Sequence, residues 1–364
     1  MNRHITEKER TKVGDLVQSM KRQISCIFGA AIISAGIIAG CNYMAEAQKI
    51  VSEEFELSDV VDDDLSVGDY AKDNYSGSDF WKTNNYEPVE YVETSGDIAE
   101  FKGKLEAKAA ILVDVDTKTV IYSKNPDEEM APASTTKLAT AITATAILDA
   151  DEVIEVGNEI NLIAPDSSKA GIKAGDRFTF EELLEAMLLS SGNDAAYVIA
   201  RAGGQALLED NIAYDNEEIT IEQCIKRFVY EMNKNVRDIG LENTCFTSPD
   251  GYDQEGQYTT ARDLSKIAMV AYETEQIKNI CSMDSVTAKN GEYTWSTTNE
   301  LLKEDSKYYY KYAMGMKTGS TDKAGKCLVS VAQKDEQRCI SVVLNSTEEG
   351  RYEDSLRLLK FYIE

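Results

Sequence analysis

The segment "PASTTKLATA", residues 132–141, places a serine hydroxyl three residues before a lysine amine, at the point where an apolar helical run begins. If the helix opens near Ser134, positions i and i+3 share a face, so the amine of Lys137 reaches the hydroxyl of Ser134 without help from a distant loop. The only histidine is His4, far from any foldable core, so a serine nucleophile here needs a base other than imidazole. A helix N-terminus favours negative charge developing near the serine and disfavours the lysine's extra proton. To act as a base at neutral pH the lysine must shift by roughly three units from about 10.4, or about 4 kcal/mol of differential interaction. Desolvation and neighbouring positive charge are the means available. Taken alone, S-x-x-K equally fits an N-cap serine and a solvated lysine, and the same spacing recurs at Ser320 and Lys323, where no apolar helix follows.

Composition restricts what surrounds this segment. A chain of 364 residues with 43% apolar content holds one large domain or two ordinary ones. Its net charge of −26 argues against a nucleic-acid partner, whose phosphates need Lys and Arg. Half of that charge lies in residues 51–100, where fifteen Asp or Glu face two Lys and apolar periodicity is weak. Residues 42–103 therefore read as an acidic, disordered linker. Before it, Lys21 and Arg22 precede a stretch without charge from Ile24 to Cys41, which reads as an export signal over residues 1–41. Three fates are legible: "IAGC", ending at Cys41, resembles a bacterial lipobox that would leave Cys41 lipidated; "AEA", residues 45–47, resembles an ordinary cleavage site; and the segment is long enough to stay as an anchor. Each puts the remainder outside the cytoplasm, in the cell envelope, attached to the membrane through the N-terminus or secreted.

The cysteines outside the leader, Cys224, Cys245, Cys281, Cys327 and Cys339, are odd in number and contain no C-x-x-C pair, so neither a complete disulfide framework nor a metal site is expected. Cys327 and Cys339 fall on two strand-like runs around the turn "QKDEQ". A centred hairpin offsets them by about five residues, or roughly 16 Å, too far for a bridge.

From residue 104 onward the pattern is globular. "AAILVDVDTKTVIYSKN" reads as a hairpin around Asp116-Thr117-Lys118. A helix follows over residues 134–148. A T-x-x-E capping box at Thr179 and Glu182 opens another, which breaks at Ser190-Ser191-Gly192 and resumes as a helix closed by Gly203-Gly204. A helix over "TTARDLSKIAMVAYE", strands flanking "KTGSTDKAG" and a final helix, "YEDSLRLLKFYI", complete residues 104–364. Strands at both ends with helices between them imply a single α/β domain whose sheet gathers the terminal strands.

The serine–lysine pair gains weight from its company. "PASTTK", "SGN" at residues 191–193 and "KTG" at residues 317–319 match, in order, the three motifs of the penicillin-recognising serine D,D-peptidases and their β-lactamase relatives. A further S-x-N, at Ser123 and Asn125, precedes the nucleophile and sits beside a hairpin turn. With "SGNDAA", "TSPDGYDQEGQYTTARDL", "TNELL", "GMKTGSTDKAGKCLVSVA" and "EGRYED", residues 104–364 resemble the D-alanyl-D-alanine carboxypeptidases among the low-molecular-mass penicillin-binding proteins. The resemblance implies an α/β (α+β) fold of β-lactamase/D,D-peptidase type, an antiparallel sheet sandwiched by helices beside a helical subdomain. It implies a serine hydrolase without cofactor or metal, acting on the D-Ala-D-Ala end of peptidoglycan stem peptides and acylated by β-lactams. Many relatives carry a second β-rich domain and a C-terminal amphipathic membrane helix; attachment here is expected at the N-terminus instead.

Roles implied by the resemblance fall on this sequence as follows. Ser134 is the nucleophile, Lys137 its base, and Ser191 a proton relay toward the leaving amine. Asn193 holds the peptide amide and helps position Lys137. Lys317 and Thr318 bind the substrate carboxylate, with Arg351 helping, and the backbone N–H groups of Ser134 and Ser320 form the oxyanion hole. Two other readings share these motifs: a penicillin-binding sensor or cell-wall binder with poor turnover, and a D,D-endopeptidase or β-lactamase. A class A β-lactamase would need an E-x-x-L-N glutamate for deacylation, and none occurs between Asn193 and Lys317.

Overall fold

Ten-residue strands near the C-terminus organise the molecule. In the computed structural model, which describes residues 89–94, 101–209 and 219–364, β10 (Gly325–Lys334) and β11 (Gln337–Ser346) form an antiparallel hairpin at the centre of a seven-stranded sheet. β11 pairs with β2 (Ala109–Asp114), which turns through Lys118 into β3 (Thr119–Lys124). Lys118 takes φ 55°, as such a tight turn requires. On the far side β10 pairs with both β8 (Ala313–Gly315) and β9 (Thr318–Thr321). Strands from the two sequence ends thus meet in one sheet, as expected.

Both faces of that sheet are buried, so its inner strands are nearly continuous apolar runs. Ile111, Val113, Val329, Val331, Ile340 and Val342 face one core, while Leu112, Leu328, Cys339 and Val343 face the other. The second core is closed by the C-terminal helix, Gly350–Ile363, through Leu358, Leu359 and Ile363. The first is covered by the inner helices, among them α1 (Lys137–Thr145) and Ala261–Glu273.

Between the strand groups lies the helical part. A short two-stranded antiparallel ladder, β4 (Val153–Glu155) with β5 (Arg177–Thr179), leads into α2 (Phe180–Leu188). The Thr179 and Glu182 capping box is formed reciprocally, a device typically worth about 1 kcal/mol. α3 runs Asn193–Glu209 and packs on α4 (Ile221–Asp238). α5 (Ala261–Glu273) and α6 (Glu275–Cys281) follow, then a small hairpin of β6 (Ser285–Thr287) and β7 (Thr294–Ser296); α7 is the C-terminal helix. Among the described residues no helix is long and apolar enough to cross a membrane.

Several expectations change. Gly203-Gly204 does not close α3, which continues to Glu209. These glycines serve helix packing instead: a Cβ on Gly204 would lie 1.8 Å from the carbonyl oxygen of Cys224 in α4, and one on Gly203 would lie 2.8 Å from the Phe228 ring. The Ser134 segment begins as a 3-10 turn, Ala133–Thr136, before α1 starts at Lys137. "TGST", expected to lie between strands, is itself β9. One strand lies inside the stretch read as linker. β1 (Val92–Glu93) adds a parallel edge strand to β3, fixed by the Tyr91 hydroxyl on Ser265 Oγ at 2.8 Å and by Glu93 on Arg262 at 2.7 Å. The export segment 1–41, Cys41 and the acidic stretch up to residue 88 lie outside the described residues.

Candidate active site

The backbone ahead of α1 is unusual. Ala133 takes φ 48°, and Ser134 follows within the 3-10 turn, where residues i and i+3 eclipse one another. That geometry brings Lys137 Nζ to 2.9 Å from Ser134 Oγ. The same amine donates to Asn193 Oδ1 at 2.7 Å and to the carbonyl oxygen of Asp250 at 2.7 Å. Lys137 is completely buried, and desolvation lowers its pKa to about 8, against the opposing pull of the Asp250 and Asp194 carboxylates.

These three contacts determine what the amine can do. Asn193 Oδ1 and the Asp250 carbonyl only accept hydrogen bonds, whereas the serine hydroxyl can donate. A neutral amine therefore uses its two N–H groups on the fixed acceptors and presents its lone pair to Ser134 Oγ–H. In that state the lysine is oriented as a base, and burial favours that state.

Asn193 opens α3 directly after the S-G-N break. Ser191 takes φ 59° to make the turn, and its hydroxyl forms no hydrogen bond among the described residues. Gly192 is required by close approach, since a Cβ there would lie 2.7 Å from Ala170 Cβ. Asp194 then accepts from the backbone N–H groups of Ala170 and Gly171, each at 2.8 Å, and Asn193 N–H donates to the carbonyl of Ser168 at 2.9 Å. The loop through Ser168 is thereby held against the start of α3.

The opposite wall is β9. Its Gly319 runs so close to the Ala133–Thr136 turn that a Cβ would meet Ala133 Cβ at 3.0 Å and Ser134 N at 3.2 Å. Ser320 is next along the strand and lines the cleft with Ser134 and Asn193. Lys317 is buried, donates to the carbonyl of Thr318 at 3.0 Å, and has its pKa lowered well below the ordinary range by desolvation and by the neighbouring Lys137. The hydroxyls of Thr318 and Thr298 lie 2.6 Å apart. Arg351 sits behind this strand: its guanidinium bonds Glu348, approaches the Gly319 carbonyl at 3.5 Å and covers the Tyr352 ring. It is buried and is not among the groups lining the cleft.

The cleft itself encloses about 270 Å³ and is rimmed by Asp166, Ser167, Ser168, Tyr252, Asp253, Thr321, Asp322 and Lys326. The first two motifs line this cavity through Ser134 and Asn193, and the third adjoins it through Ser320, which follows Lys317–Gly319; Lys137, Ser191, Lys317 and Thr318 are not among its lining residues. The second S-x-x-K opens no helix: Ser320 is in a strand, and Lys323 is exposed in the turn after it. Sequence reading missed the Asp250 carbonyl, since a backbone acceptor leaves no side-chain signature. Its turn, "SPDG", was visible only as a stretch resembling the family.

A family profile described as D-alanyl-D-alanine carboxypeptidase matches residues 96–207 and 220–348. The chain belongs to this family. The D-alanyl-D-alanine carboxypeptidase DacF of Bacillus subtilis is 31% identical over 264 residues, covering 70% of this chain and 62% of that protein. The D-alanyl-D-alanine carboxypeptidase of Streptomyces sp. strain K15 is 31% identical over 276 residues, 71% of this chain and 88% of the relative. This chain therefore spans less than two thirds of the Bacillus carboxypeptidase and most of the Streptomyces one. Among solved structures, the Streptomyces K15 DD-transpeptidase superposes with a TM-score of 0.62 at 29% identity, covering 71% of this chain and 98% of that one. Penicillin-binding protein D2 of Listeria monocytogenes, in its ampicillin-bound form, gives a TM-score of 0.58 at 26% identity, covering 71% of this chain and 98% of that one. The fold observed here is thus that of these D,D-peptidases, a sheet antiparallel except for its edge strand β1, set between helices with a helical part alongside.

Proposed function

We propose that the protein is a serine D-Ala-D-Ala carboxypeptidase that removes the terminal D-alanine from peptidoglycan stem peptides. The observation that carries this reading is the 2.9 Å contact of the buried Lys137 amine with Ser134 Oγ, its other two contacts being pure acceptors. Ser134 Oγ attacks the carbonyl carbon between the two D-alanines while its proton passes to Lys137 Nζ. The negative oxygen of the tetrahedral intermediate is held by the backbone N–H groups of Ser134 and Ser320, each such donor being worth on the order of 3 kcal/mol. The C–N bond then breaks. The leaving amine takes a proton through Ser191, and D-alanine departs from an ester on Ser134. Water attacks that ester, and the shortened peptide leaves with Ser134 restored.

Lys317 and Thr318 take the terminal carboxylate, whose negative charge favours the Lys317 ammonium that burial and Lys137 disfavour in its absence, and Asn193 takes the peptide amide. Arg351 acts from behind β9, adding positive potential and fixing the strand. A β-lactam, which presents a strained amide and a carboxylate to the same groups, acylates Ser134; the ampicillin-bound Listeria relative supports this. Residues 1–41 export the chain, which stays attached to the membrane, with Cys41 as the candidate lipid site, or is released by cleavage after residue 47.

The test is release of D-alanine from a peptide ending in Lys-D-Ala-D-Ala, with Ser134→Ala in parallel. Repeated turnover abolished by the substitution supports the carboxypeptidase. Labelling of Ser134 by a fluorescent penicillin without turnover favours the sensor, and no labelling overturns the assignment. Transfer of the acyl group to an amine rather than water is the second reading, favoured by the likeness to the Streptomyces DD-transpeptidase. Product analysis with an added amine acceptor separates the two.

A further inference from the structure

The turn from Ser248 to Asp253 touches both halves of the cleft. At its inner end the carboxylate of Asp250 accepts from Ser248 Oγ at 2.7 Å and from Tyr252 N–H at 3.0 Å, which fixes the peptide whose carbonyl receives Lys137 Nζ. Gly251, at φ 78°, lies against the nucleophile turn, where a Cβ would be 1.9 Å from the Ala133 carbonyl oxygen. At its outer end the carboxylate of Asp253 accepts from Thr321 Oγ1 at 2.7 Å and from Lys323 N–H at 2.8 Å. Thr321 ends β9 directly after Ser320, and its hydroxyl also accepts from Ala324 N–H at 3.0 Å. Among the described residues no other side-chain hydrogen bond joins residues 248–253 to residues 317–324.

We propose that Asp253 is a positioning residue for the reaction, a clamp that holds the turn carrying the Asp250 carbonyl onto β9 and so keeps Lys137 dry and aimed at Ser134. The inference rests on the serine–lysine reading above. Neither end of the clamp touches Lys137. What it controls is the seat of the Asp250 carbonyl, and through it the access of water to an amine whose proton is disfavoured by burial. The charged groups facing Lys137 are Lys317, Asp194 and Asp250; those near Asp253 at the cleft are Asp166, Asp322, Lys323 and Lys326.

The sign of one measurement separates a clamp from a mere charge. Removing a carboxylate from the cleft makes an ammonium less favourable, so a purely electrostatic role predicts that the lysine titrates at lower pH in Asp253→Ala. Loosening the turn admits water, which restores the ammonium and moves the titration up. The experiment is the pH dependence of Ser134 acylation by a fluorescent penicillin, in the full chain, for wild type, Asp253→Ala, Thr321→Val and the double variant. Expected for Asp253→Ala is a loss of about tenfold to a hundredfold at neutral pH, with the rising limb displaced to higher pH. Thr321→Val should move the limb in the same direction by less, and the double variant should be no worse than Asp253→Ala. A limb that stays in place or moves down, or additive losses, overturns the clamp while leaving the catalytic reading intact. Wild type that fails to label overturns the catalytic reading itself. Should Asp253→Ala not fold, as read by circular dichroism, the direction of the limb in Thr321→Val decides.

Discussion

Lys137 Nζ donates to the carbonyl oxygen of Asp250 at 2.7 Å, joining the start of α1 to a turn more than a hundred residues further along the chain. Together with Asn193 Oδ1 it leaves the amine one direction free, toward Ser134. The pH dependence of acylation follows. The reactive form is the neutral amine, and burial brings the lysine down to about 8. Acylation of Ser134 should therefore rise with pH through about 8 and flatten above it, since raising pH removes the proton that blocks the lone pair. Stopped-flow acylation from pH 6 to 10 checks this. A profile flat across that range would show that Lys137 is not the titrating base.

Replacing Asn193 tests the second acceptor. Asn193→Asp puts a carboxylate 2.7 Å from the amine in a dry site, which favours the ammonium and should move the same limb to higher pH. Asn193→Ala removes the acceptor without adding charge, so it should slow acylation by about a hundredfold while displacing the limb less. Comparing the two limbs distinguishes an electrostatic from a steric effect.

Gly204 addresses packing away from the cleft. It lies inside α3, where glycine ordinarily costs about 1 kcal/mol relative to alanine, so Gly204→Ala would be stabilising if propensity decided. Contact decides instead. The added Cβ would sit 1.8 Å from a backbone oxygen of α4, and α3 and α4 must separate to admit it. Destabilisation of about 2 kcal/mol or more is expected in urea unfolding.

The same residue shows where the sequence misleads. A pair of glycines at the end of an apolar run reads as a helix stop, and only the tertiary approach of α4 reveals it as a packing notch. The candidate catalytic side chains were legible because each of their motifs is short and continuous, and the β2–β3 and β10–β11 hairpins were legible from alternation around turns, whereas the small β4–β5 and β6–β7 ladders were not foreseen. α4 was not foreseen, although Thr220 and Gln223 form a capping box at its start. The Asp250 carbonyl and the Asp253 clamp depend on which turn folds over which, and residue types do not record that.

The cysteines give a redox prediction. Cys339 stands opposite Ala332, so Cys327 lies five residues away along β10, as the turn between the strands implied, and among the described residues Cys224, Cys281, Cys327 and Cys339 form no disulfide. Unfolding midpoints with and without reductant should agree for the catalytic domain. A midpoint lowered by reductant would reveal a bridge, and the register leaves Cys327–Cys339 out of the candidates.

Gly251 couples stability to chemistry. Its φ of 78° is costly for any residue with a Cβ, and that Cβ would lie 1.9 Å from the Ala133 carbonyl oxygen and 2.6 Å from Thr136 Oγ1. Relief requires the turn to lift away from the 3-10 segment, taking the Asp250 carbonyl from Lys137. Gly251→Ala should therefore lose stability by about 1 to 3 kcal/mol and lose acylation by at least tenfold under conditions where it is folded. The two readouts separate the possible causes. If strain alone acts, the folded variant should acylate at the wild-type rate once its stability is restored by low temperature. If the turn seats the base, the acylation defect should persist in the folded protein, and its rising limb should move to higher pH as water reaches Lys137.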